Sequence, residues 1–201
     1  MNRLVLSILA AVAFAPGLAG QTAPNACGLL TTEEAKTLIV RNQKMIIPLD
    51  ADATVVSGGK GSVCDYSYGG QVAIYVGPNS EAAFEQFLKA FNAQGQPKQP
   101  VSGVGDKAYV IYPKPRNEYS DQGPYLVATV GPHTVTAFLA RHKGNADGPM
   151  GEMCRSGKLS EKDAKDCPKI LADKTETPES LLPAVTELAK AVVAKVRAGK
   201  F

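Results

Sequence analysis

Apolar and polar positions along the chain switch repeatedly between the helical and the strand period. Leu30-Thr31-Thr32-Glu33-Glu34 opens a helix: Thr31 as N-cap and Glu34 three residues on form a capping box, and Leu30 staples against Ala35. Ala35, Leu38 and Ile39 then supply its buried stripe. The short apolar runs at 45–48 and 54–56 are weak strand signals. A Gly/Ser turn at 57–62 leads into Val63 to Tyr68, which alternates cleanly; Gly69-Gly70 is a hairpin signal, and QVAIYVG at 71–77 is the returning strand. Ser80 then starts a second helix, in which Phe84, Phe87, Leu88 and Phe91 follow the i, i+3, i+4, i+7 rule. That is the strongest amphipathic pattern in the chain.

The second half repeats this order. KAYVIY at 107–112 reads as a strand, followed by a polar loop at 113–124. YLVATV at 125–130 and TVTAFLA at 134–140 form a hairpin across Gly131-Pro132-His133. Residues 142–177 are a polar insertion with seven basic and seven acidic side chains and no apolar periodicity. Thr177-Pro178 has N-cap and N1 character. Leu181, Val185, Leu188, Ala189, Val192 and Val196 share one face of the closing helix, which either begins at Pro183 or kinks there. The predicted class is α+β: a mostly antiparallel sheet flanked by helices, in two loosely repeated strand–strand–helix halves.

The first 20 residues read as an address rather than structure. Arg3 precedes an unbroken apolar and small run from Leu4 to Ala15, Pro16-Gly17 breaks it, and Leu18-Ala19-Gly20 ends in small residues. This is the layout of a signal peptide, and the run is too short for a spanning helix, which needs roughly 20 residues. Residues 21–201 are then one globular domain, secreted or periplasmic, with no later stretch long and apolar enough to span a membrane. Export makes disulfides of Cys27, Cys64, Cys154 and Cys167. Four cysteines allow three pairings, and spacing favours Cys27–Cys64 and Cys154–Cys167. Chain entropy assigns about 3.9 kcal/mol to the longer ring and about 3 to the shorter, so any larger difference reflects what each bridge holds. On that reading the first bridge supports the fold and the second only restrains a solvated segment.

Chemistry is sparse. A formal charge of +3 is far from that of a nucleic-acid binder. No CxxC pair or His–Cys spacing suggests zinc, no cofactor motif is present, and no GxSxG frames a nucleophile. SGGKGS at 57–62 lacks the Gly-Lys-Ser/Thr order and the following helix of a phosphate loop. Asp50 and Asp52 lack the remainder of a calcium loop. His133 and His142 fall on opposite faces of a regular strand, and Glu33, Glu34, Glu152 and Glu161 read as caps and surface charge. One constellation remains: the long loop after the 107–112 strand combines Tyr112, Lys114, Arg116 and Tyr119, aromatic and cationic groups of the kind that anchor binding. Tyr66 and Tyr68 share a face with Cys64, as a packed core edge or the lining of a groove.

CGLLTTEEA near the mature N-terminus, CDYSY, VSGVGDKAY and a final amphipathic helix resemble exported actinobacterial families of secreted proteins and lipoproteins, including the sensor domain of a mycobacterial serine/threonine kinase. The resemblance, over about 27–197, implies a PsbP-like α/β sandwich without catalytic residues. It favours a binding or sensor-like module of the cell envelope contacting a protein, glycan or lipid. A secreted hydrolase with an unusual site and a structural envelope component are the alternatives.

Overall fold

A computed structural model describes residues 25–39, 51–55, 61–66, 69–77, 80–90, 95–114, 123–142 and 144–201, with 51–55, 83, 86–88 and 90 given by backbone alone. The segment read as a signal peptide, residues 1–20, lies outside them. Seven strands form one antiparallel sheet: β1 (Ala51–Val55), β2 (Gly61–Tyr66), β3 (Gly70–Tyr75), β4 (Gln99–Pro100), β5 (Lys107–Ile111), β6 (Tyr125–Val130) and β7 (His133–Leu139), in spatial order β1-β2-β3-β7-β6-β5-β4. Two meanders therefore meet where the last strand of each pairs, Gly70–Tyr75 running against Leu139–Thr134. The predicted α+β class holds, and so does the repeated strand order.

Helices cover both faces. α1 (Thr32–Leu38) begins with the expected capping box, Thr31 Oγ1 accepting from the Glu34 N–H and Glu34 Oε2 from the Thr31 N–H. α6 (Leu182–Arg197) lays Val185, Leu188, Ala189, Val192, Val193 and Val196 on the face that carries Cys64, Val72, Ile74, Leu126, Ala128, Val135, Ala137 and Leu139. Pro183 sits in its first turn, where a missing N–H breaks no bond. Thr177 and Ser180 exchange hydrogen bonds at the entry to the preceding 3-10 turn, so the expected cap is present. Lys195 reaches Glu34 at 2.7 Å, tying α6 to α1.

α2 (Ser80–Ala90) lies on the opposite face, with Phe84 buried among Val63, Ala73, Tyr75, Ile111 and Val127. Its Ser80 hydroxyl donates to the Pro132 carbonyl and lies 2.9 Å from Thr134 Oγ1. The two halves thus share a strand order while their following helices occupy opposite faces. The side chains of Phe87 and Leu88, and Phe91 itself, lie outside the description.

The insertion at 142–177 is not the loop its polarity suggests. It folds into α3 (Pro149–Ser156), α4 (Glu161–Ala164) and α5 (Cys167–Ala172). Little apolar burial is needed because backbone packs on backbone: a Cβ on Gly151 would overlap the Ala146 carbonyl, and one on Gly144 the Asp173 carbonyl. Gly157 ends α3 at φ 65°, a left-handed cap that suits glycine. Cys154–Cys167 joins α3 to α5, while Cys27–Cys64 joins the N-terminal 3-10 turn (Ala26–Leu29) to β2, with Cys64 wholly buried. Both favoured pairings are present.

Replacing Phe84 by alanine leaves an aromatic-sized void and should cost roughly 3–5 kcal/mol, read from denaturant unfolding. The Cys27→Ser/Cys64→Ser double variant should lower the melting temperature of the whole domain. Cys154→Ser/Cys167→Ser should instead raise amide exchange within 149–172 and leave exchange in β3 and β7 protected. Equal global losses for the two variants would contradict this division.

Candidate functional site

Strand register sets Asp65, Gln71, Phe138, Tyr125 and Ile111 opposite one another in turn, so they form one rung across β2, β3, β7, β6 and β5 on the α2 face. The parallel rungs carry Val63, Ala73, Thr136 and Val127, then Tyr75 and Thr134. Phe84 packs with Val63, Ala73, Tyr75, Val127 and Ile111. The outer rung is the polar and aromatic one.

Within it, Gln71 Nε2 donates to Asp65 Oδ1 at 2.6 Å. Gln71 is only 8% exposed, and its carbonyl oxygen accepts no hydrogen bond among the described residues. A buried acceptor without a donor forgoes the hydrogen bond it would make to water, at about 1–3 kcal/mol. Beside it Phe138 and Tyr125 stack with centroids 4.6 Å apart; Tyr125 is buried, Phe138 half-buried and Asp65 exposed. The rung therefore presents an aromatic edge, a carboxylate and an acceptor in need of a donor, all on rigid strands.

The loop singled out from sequence begins and ends beside this rung. Pro113 and Gly123 at its two feet are buried, and a Cβ on Gly123 would overlap the Leu139 carbonyl, so the returning foot is pinned to the end of β7. Lys114 is exposed. Tyr112 turns away from the rung: its half-buried phenol has its pKa raised by burial and by Glu179, at the entry to α6. Arg116 and Tyr119 lie outside the described residues. Tyr66 belongs to the core on the α6 face, where burial and then Glu34 push its hydroxyl up to about 12; Tyr68 is outside the description. Asp65, Gln71 and Phe138 went unremarked in the sequence. The one available signal was a glutamine opening an otherwise apolar strand.

The remaining candidates have structural partners. His133 is half-buried beneath the Phe201 ring, 5.1 Å between centroids. His142 Nε2 lies 2.7 Å from Asp173 Oδ1, and Asp173 also accepts from the Asn145 backbone and side-chain N–H groups. These bonds, the Asn145 backbone donor foremost, hold the Asp173 carboxyl below its usual range. Glu34 is the cap and α6 partner already described, while Glu152 and Glu161 are exposed. Asp50 and residues 57–60 lie outside the description, and Asp52 is placed by backbone only, in register with Asp65. Among the described residues no cluster of three His, Cys, Asp or Glu side chains is arranged to hold a metal, and no helix is long and apolar enough to cross a membrane. No family model matches the chain, and neither curated proteins nor solved structures yield a match.

Asp173 has a lowered folded pKa, so its contribution is present above the unfolded value near 3.8 and is lost as pH falls through the lower folded value. Acidification through that window should release the Asn145 amide to exchange, and Asp173→Ala should do so already at neutral pH. Gln71→Leu removes the unpartnered acceptor along with one bond to Asp65. It should change stability by less than about 1 kcal/mol, or raise it; a loss of several kcal/mol would mean that Gln71 serves the fold rather than a site.

Proposed function

We propose that this protein is an exported, non-catalytic binding or sensor-like module of the cell envelope, released by cleavage of the segment at 1–20. Its ligand docks against the outer rung of the sheet beside the 112–124 loop. The observation that carries this reading is the carboxamide of Gln71: buried, fixed by Asp65, with an acceptor that has no donor among the described residues. The oxygen is itself covered, so a ligand N–H or O–H would reach and satisfy it only as the side chains over it move aside. Asp65 would accept a second hydrogen bond, and the half-buried Phe138 would contribute an apolar edge, the mixture found in small-molecule and glycan sites.

Two further features support the setting. The two disulfides are compatible with an oxidising compartment. The resemblance to exported actinobacterial families, carried by CGLLTTEEA, CDYSY and VSGVGDKAY, is the second.

The test is retention of envelope fractions, separated into polysaccharide, lipid and protein, on the immobilised mature chain. One class should be retained, and Asp65→Ala and Gln71→Leu should each release it while the chain still unfolds in one cooperative transition, shifted by no more than about 3 kcal/mol. Retention of nothing, or retention indifferent to both substitutions, would overturn the proposal.

A further inference from the structure

We infer that Met150 and Met153 form a two-thioether site for a soft monovalent cation of the Cu(I) or Ag(I) type. They are 41% and 37% exposed, and with Phe201 they are the large apolar side chains that the described residues leave in solvent. Both stand on α3 at i and i+3, a spacing that sets their Cβ atoms about 5–6 Å apart on neighbouring positions of one helix surface. Flexible thioether arms from such positions can converge on one ion, and soft sulfur ligands select soft metals.

The helix carrying them is held from behind. Gly151 packs its backbone on Ala146, Cys154 is bonded to Cys167, and Arg155 Nη1 donates to the Ala146 carbonyl at 2.8 Å. An eight-residue helix is marginal alone; these three ties fix α3 and with it the outward direction of the methionines. With both nearby cysteines oxidised, the thioethers are the soft donors left on this surface. The surroundings also argue against a protein-docking face. Glu152, Arg155 and Ser156 are exposed around the pair, so the apolar area is two side chains wide and ringed by polar groups. A single ion needs no more than that. The inference is independent of the ligand proposed for the sheet.

The experiment is a silver titration of the mature protein carrying ¹³C-methyl methionine, followed by NMR. Silver is redox-inert here and reports the same ligand chemistry as Cu(I). The ε-methyl signals of Met150 and Met153 should move together and saturate near one equivalent while Met45 stays still. Met150→Leu and Met153→Leu each keep side-chain volume; each should weaken binding by about tenfold or more, and the double variant should abolish it. Methyl signals that do not move, a double variant that still takes up one equivalent, or an equal response to calcium would overturn the assignment. So would signals indifferent to silver that broaden as protein concentration rises, which would make the pair a contact between copies.

Discussion

The pairing of β3 with β7 is the constraint on which the rest of the molecule depends. It is the only ladder joining the two meanders in the described sheet, and it brings together segments on either side of α2, β4, β5 and β6. Closing such a span costs chain entropy before any contact repays it. Repayment comes from burial on both sides, since every residue of β3 is buried. A strand enclosed on both faces has to find helices above and below, and α6 and α2 fill those two positions.

The N-terminal turn, α1 and α6 share one continuous apolar cluster with the sheet, and local ties fasten them further. The N-terminal 3-10 turn is held to β2 twice, by Cys27–Cys64 and by the Ala26 N–H donating to the buried Ser62 hydroxyl. α1 is held through Glu34 to Lys195 on α6. In the same last turn of α6, Arg197 pairs with Asp106, whose carboxylate also accepts from the Gly131 N–H in the β6–β7 turn. The exposed ion pair adds little energy by itself. The lie of the last helix across the hairpin is set by its buried stripe, Val185 to Val196, against the sheet.

Elements whose stability is local were legible in the sequence. The capping box at Thr31, the α6 stripe, and the β6–β7 hairpin need only neighbours in the chain, and they stand where the periodicity puts them. The helices at 149–172 were missed for a physical reason: Gly144, Ala146 and Gly151 bury backbone against backbone, which leaves no apolar repeat to read. Their caps were visible all the same, in Pro149 after Gly148, Gly157 at the end of α3, and Ser160 three residues before Asp163. The rung of Asp65, Gln71, Phe138 and Tyr125 was illegible because it exists only once β3 has paired with β7. The loop beside it announced itself through Tyr112 and Lys114, of which the structure directs Tyr112 elsewhere.

The β4 edge bears on how this protein behaves in a crowd. β4 pairs just two residues with β5, and both Gln99 and Pro100 are exposed. Proline has no N–H to offer, so this short border presents no continuous row of backbone donors. An open row of donors and acceptors is the template on which chains stack into fibrils. By ending here in a short, proline-bearing strand, the sheet stops its own growth, and concentrated solutions of the folded chain are spared one route to aggregation.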